Sequence, residues 1–149
     1  MTTLSPQQLA DTLADTVSQA MLAEDRVARD LDIRLLSVGA GSATMTMTVQ
    51  ERMLNGFAIC HGGYITLLAD TAFAYACNSY NDVTVASSLG IEFIAAVQGG
   101  DVLTAKATEI SLAGRTGLYD IDISNQDGKR VAVMRGRSYR LKDKKMLAL

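Results

Sequence analysis

The sequence predicts an α+β fold in which an antiparallel sheet wraps around one buried helix. Three observations lead there. From Gly62 to about Tyr80 the chain reads GGYITLLADTAFAYACNSY, rich in Ala and Leu and apolar on nearly every side, and a helix that is apolar all round has to be buried. From Ser42 to Val49, Ala43, Met45, Met47 and Val49 alternate with Ser42, Thr44, Thr46 and Thr48, which is the period of a half-buried strand. After Asn81-Asp82 the chain is strand-like to its end. One helix followed by consecutive antiparallel strands forms two layers, with the sheet curled over the helix. Such a sheet covers only part of an apolar helix, so the exposed remainder calls for a second copy of the chain, and a homo-oligomer is expected.

The remaining elements follow in order. Ser5-Pro6-Gln7-Gln8 starts a helix: Ser5 is the N-cap, Pro6 suits the first turn, and Gln8 completes a capping box. Leu9, Leu13, Val17 and Met21 then recur at helical spacing. A second short helix begins near Asp25, whose carboxylate can cap it. Leu31 to Val38 reads as a first strand, and Gly39-Ala40-Gly41 as a turn. Between Gln50 and His61 there is no period, and Asn55-Gly56 marks a loop. Val83–Val97, Val102–Leu112, Leu118–Ser124 and Val131–Leu141 are the expected later strands. Gly99-Gly100, Gly114-Arg115-Thr116-Gly117 and the hairpin signal Asn125-Gln126-Asp127-Gly128-Lys129 separate them. The reading is one domain over residues 1–149: N-terminal helices in 1–30, a core in 31–141, and a basic, frayed tail in 142–149.

A chain of 149 residues supports one core rather than two. Its formal net charge of −2 argues against general nucleic-acid binding, which runs on counterion release by Lys and Arg. No apolar run approaches a membrane span, and Met1-Thr2-Thr3-Leu4 carries no secretory signal, so a cytoplasmic protein is expected. Cys60 and Cys77 are the only cysteines and form no CxxC; they read as two reduced thiols and not as a metal site. His61 is the only histidine, which excludes any mechanism that needs two.

Asp70 is the residue that stands out. Its helical neighbours at i−4, i−3, i+3 and i+4 are Thr66, Leu67, Phe73 and Ala74, none of them charged. An ionised carboxylate there is costly unless paired or wet, and burial would raise its pKa toward the range used by general bases. A pairing with a distant arginine, or a helix face that meets water at a subunit boundary, would satisfy the same pattern. His61-Gly62-Gly63 precedes the helix. The first helical turn presents unpaired N–H groups and a positive dipole end, so it can hold an anion or a developing oxyanion, although a histidine there can also be only a cap. Cys60 beside His61 lacks a third, orienting group and is a poor nucleophile candidate. Arg115, Lys129, Arg130, Arg135 and Arg137 could receive nucleotide phosphates or simply form a solvated strand face. Met45, Met47 and Met53 read as core fillers.

Together, Asn55-Gly56, His61-Gly62-Gly63 and Leu68-Ala69-Asp70-Thr71-Ala72-Phe73-Ala74 resemble the signature of hotdog-fold acyl-CoA thioesterases, in particular the phenylacetic-acid-degradation (PaaI-type) branch. The likeness continues through Ala23-Glu24-Asp25, Asn78-Ser79, Gly100-Asp101-Val102-Leu103 and Gly114-Arg115, and so covers about Met21 to Arg137. The resemblance implies a hotdog fold and hydrolysis of an aryl-acetyl-CoA thioester. It implies Asp70 as nucleophile or general base, the Gly62 N–H as donor to the thioester oxygen, and His61 and Asn55 as orienting groups. Gly63, Thr71, Arg115 and Arg137 are the expected substrate contacts. No metal or organic cofactor is expected, and a tetramer of two dimers is implied. Related menaquinone and enterobactin thioesterases carry Glu where this chain has Asp70. Asp32 departs from the pattern, standing where the family usually has Gly. A non-catalytic acyl-CoA-binding or sensing module, and an enoyl-CoA hydratase or dehydratase, are the competing readings of the same fold.

Overall fold

Local chemistry sets where the helices begin. In the computed structural model, which describes residues 3–149, α1 (Pro6–Glu24) opens on the expected capping box: Gln8 N–H donates to Ser5 Oγ, and Ser5 N–H donates to Gln8 Oε1. The Asp25 carboxylate accepts from Ala28 N–H and caps α2 (Arg26–Asp30). The strands are β1 (Arg34–Gly39), β2 (Ser42–Thr48), β3 (Asp82–Phe93), β4 (Val102–Ala113), β5 (Thr116–Ser124) and β6 (Arg130–Lys145), and α3 (Gly62–Cys77) lies between β2 and β3. All pairings are antiparallel, in the order β1-β2-β4-β5-β6-β3.

The sheet curls over α3. Rows of directly opposed residues alternate between the two faces. Ala105–Ile123–Ala132–Phe93 and Ala107–Ile121–Met134–Ile91 face the helix, and Lys106–Asp122–Val133–Glu92 faces away. Leu68, Ala69, Ala72, Phe73 and Ala76 of α3 are fully buried against the sheet. Tyr64, Leu67, Asp70, Thr71 and Ala74 form a stripe that the sheet leaves partly open. The alternating Met45 and Met47 of β2 lie in the core, as the period required.

Several expectations are corrected. The first strand starts at Arg34 and not at Leu31, because Asp32 takes φ +51°, a left-handed turn between α2 and β1. That conformation explains why glycine suits the position, and Asp is among the few other residues that enter it readily. The segment Gly114–Gly117 is not all turn: β5 begins at Thr116, and Gly117 sits inside the sheet, where a Cβ would come within 2.5 Å of Ser138 Oγ. The basic tail is not frayed. β6 continues to Lys145, which pairs with Asp82. Asn81, at φ +67°, then holds Leu147 by two hydrogen bonds, its Oδ1 accepting from Leu147 N–H at 2.8 Å and its Nδ2 donating to Leu147 O at 3.0 Å.

Gly136 of β6 leaves room for the Phe73 ring: an added Cβ would lie 2.7–3.0 Å from three ring atoms. Phe73 is fully buried and has nowhere to retreat. Gly136→Ala is therefore expected to destabilise the fold by about 1–3 kcal/mol, read as a lower urea midpoint at unchanged slope.

Candidate active site

The site is built at the start of α3. The loop leading to it is tied down from both sides: Cys60 N–H donates to Val97 O at 2.8 Å, and His61 N–H donates to Met53 O at 2.8 Å. Asn55 shapes the preceding turn, its Oδ1 accepting from Phe57 N–H at 2.9 Å. Its amide Nδ2 has no acceptor among the described residues and is left to serve something else. His61 is the N-cap of α3, with Nδ1 accepting from Gly63 N–H at 2.9 Å. Gly63 N–H is thus consumed by the cap. Gly62 N–H, at the first helical position, has no acceptor among the described residues. It carries the positive end of a helix of 16 residues.

Asn55, Gly62, Ile65, Phe93 and Val97 line one cleft of about 420 Å³. A free amide and a free helical N–H thus meet in a mostly apolar pocket, which is the donor arrangement an oxyanion requires. A larger cleft of about 560 Å³ lies on the outer face of the sheet, lined among others by Ser88, Gly90, Arg135 and Arg137. It lies away from the start of α3, and Arg135 there is engaged with Asp120.

Asp70 is the ninth residue of α3. At about 1.5 Å per residue it stands roughly 12 Å from Gly62 along the axis, and it does not line the Gly62 cleft. Its carboxylate is half-buried, accepts no hydrogen bond from any described residue, and is held above the ordinary carboxylate pKa by burial. The Thr71 hydroxyl is tied to Leu67 O at 2.7 Å. Arg115 sits at the opposite end of the helix, beside Cys77 and Asp82, and Arg137 on the outer face; neither makes an ion pair with a described carboxylate. Within one chain, then, Asn55 and Gly62 come together, while Asp70, Arg115 and Arg137 stay apart from them. Cys60 lines the cleft, but burial pushes its thiol up to about 11, far from a thiolate at neutral pH. Among the described residues no three His, Cys, Asp or Glu side chains gather as a metal site would need.

A family model described as the Thioesterase superfamily matches residues 57–132. The chain belongs to the thioesterase superfamily. Among its relatives is the acyl-coenzyme A thioesterase PaaI of Escherichia coli, 48% identical over 83% of this chain and 89% of that one. The structure of that protein, from the phenylacetic acid degradation operon, superposes with a TM-score of 0.87, covering 89% of this chain and 96% of the other at 45% identity. A phenylacetic acid degradation protein PaaI from Thermus thermophilus matches at TM-score 0.76 and 31% identity, over 78% of this chain and all of that one. A hypothetical thioesterase protein of Streptococcus pneumoniae, solved with coenzyme A, matches at a TM-score of 0.72 and 25% identity, covering 76% of this chain and 91% of that one. The hotdog architecture implied by the motifs is the fold of this superfamily member.

One wall of the cleft had no sequence signal. Phe93, at the end of β3, reaches Gly62 only through the fold.

The raised pKa of Asp70 has a consequence for stability. Folding disfavours its ionised form, so the penalty is full above the folded-state pKa, fades as pH falls through that pKa, and is gone below the unfolded value of 3.8. Asp70→Asn should therefore melt higher than wild type near neutral pH, with the advantage gone below about pH 3.8 in thermal scans.

Proposed function

We propose that this thioesterase hydrolyses the thioester of an aryl-acetyl-CoA to the free acid and CoA, at a site shared by two subunits. The observation that carries this reading is the unpaired Gly62 N–H beside the free Asn55 amide in one cleft, with the half-buried Asp70 on the uncovered stripe of the same helix. The thioester oxygen takes the Gly62 N–H, where the helix dipole stabilises the charge that develops on attack. Asp70, poised by burial, either removes a proton from the attacking water or attacks first to give an acyl intermediate that water resolves. Collapse of the tetrahedral adduct breaks the C–S bond and expels the CoA thiolate, directly with the free acid when water attacks, or as the acyl intermediate forms and before water cleaves it when Asp70 attacks first. His61 fixes the first turn through Gly63, and Asn55 orients the thioester.

A donor and a base that serve one carbonyl must both lie within about 3 Å of the reacting atoms, and a single helix holds Gly62 and Asp70 too far apart. The edge strand β3 supports the way out. It is twelve residues long and exposes Val85 and Leu89, a surface suited to pairing with another strand. Since β3 runs antiparallel to α3, a two-fold axis that joins β3 to its copy lays the two α3 helices antiparallel, side by side. Asp70 of the partner subunit then approaches this chain's Gly62, and Arg115 of the partner subunit moves toward the same end, where a nucleotide phosphate would lie. Two such dimers make the tetramer that the resemblance implies. The superfamily match and the coenzyme A complex of the Streptococcus relative weigh for an acyl-CoA substrate, and the PaaI relatives for an aryl-acetyl group.

Asp70→Asn should lower phenylacetyl-CoA hydrolysis by about a hundredfold or more while the protein stays folded, followed by release of free thiol; near-normal turnover would sink the mechanism. Mixed dimers test the sharing. Refolding Asp70→Asn with Asn55→Ala subunits yields heterodimers with one doubly damaged and one intact site, so about a quarter of wild-type activity should return. If every site lay within one chain, mixing would restore nothing.

A further inference from the structure

We propose that Phe93 is the specificity-determining wall of the acyl pocket, and that Gly62 is glycine in order to admit its ring. This rests on thioester hydrolysis at Gly62. Phe93 ends β3 on the face turned toward the helix, in one row with Ala105, Ile123 and Ala132. Those three are fully buried, whereas Phe93 is 52% exposed. Its ring lies over the helix start: a Cβ on Gly62 would stand 2.8 Å from Cζ, 3.2 Å from Cε1 and 3.3 Å from Cε2. Gly62 does not adopt a positive φ, so what its missing side chain provides is room, and Phe93 occupies that room. The ring lines the cleft that holds Asn55 and Gly62.

The consequence follows from position. A thioester oxygen that accepts the Gly62 N–H brings its acyl group alongside whatever covers Gly62, and that cover is an aromatic ring with one side open. Aromatic pairs gain from offset or edge-to-face contact beyond the area they bury. An acyl group with a planar ring close to its carbonyl is therefore favoured over a flexible aliphatic chain of similar size. The ring also keeps water from the far side of the Gly62 N–H, which strengthens a donor aimed at developing charge.

Two substitutions reach this ring from different elements. Phe93→Leu removes it. Gly62→Ala keeps the backbone N–H and adds a methyl group that the ring must vacate. Steady-state kinetics on phenylacetyl-CoA and hexanoyl-CoA, for wild type, both single variants and the double variant, read the result. Phe93→Leu should lower kcat/KM for phenylacetyl-CoA roughly three- to tenfold more than for hexanoyl-CoA. Gly62→Ala should shift selectivity the same way. The double variant should lose little beyond the worse single one, because both act on one ring. Equal losses on both substrates in Phe93→Leu would overturn the specificity role. Losses that multiply in the double variant would mean that the Gly62 position is kept open for substrate and not for Phe93, and would overturn the pairing. Wild-type enzyme that cleaves neither thioester would instead remove the hydrolysis reading on which the proposal stands.

Discussion

The rest of the structure depends on burying α3. Its sequence offers almost no polar side to water, and a single sheet of six strands can cover only part of it. The sheet therefore curls, the strands alternate small and large residues where they meet the helix, and glycines stand where a helix side chain comes too close, as Gly136 does under Phe73. One constraint on one helix thus sets the curvature of the sheet and the composition of its inner face, and it leaves an uncovered stripe that contains Asp70.

The same constraint prepares the chemistry. A helix start is polar by construction, because its first N–H groups have no partners in the helix. Here the start is inserted among Ile59, Ile65 and Val97. His61 satisfies one donor, that of Gly63, and leaves that of Gly62 free. Halfway along, Asp70 meets neither a cation nor a donor among the described residues. In the proposed mechanism, free donor and unsatisfied acid are the two halves of an acyl-transfer site, held at fixed separation by the rise of the helix between them.

Much of this was legible in the sequence because it is local. The capping box of Ser5 and Gln8, the cap at Asp25, the alternation in β2 and the apolar run of α3 are patterns of near neighbours, and the fold keeps them. Asn55, His61, Gly62 and Asp70 could be singled out as candidates because unusual residues stand close together along the chain, and the fold brings Asn55 and Gly62 into one cleft while Asp70 stays apart. What was missed is long-range or masked by composition. Nothing near Phe93 announces a contact with Gly62, 31 positions earlier; only the curl of β3 over the helix creates it. Lys142, Lys144 and Lys145 made the tail look frayed, yet the backbone there continues β6 and ends against Asn81. The left-handed turn at Asp32 was concealed because an acidic residue fills a place where glycine would have announced it.

Sheet order also bears on how the molecule comes to be made. β6, the last strand in the chain, lies between β5 and β3. As synthesis proceeds, β3 emerges before β6, its one sheet neighbour among the described residues, and waits for it. Through that interval the nascent chain carries a long apolar strand with both edges open, the kind of species that associates wrongly. Closing the sheet then needs contacts between distant parts of the chain, a slow class of folding event. β6, which emerges well after β3, is therefore the strand that shelters it, and the clamp of Asn81 on Leu147 joins the start of β3 to the segment that follows β6.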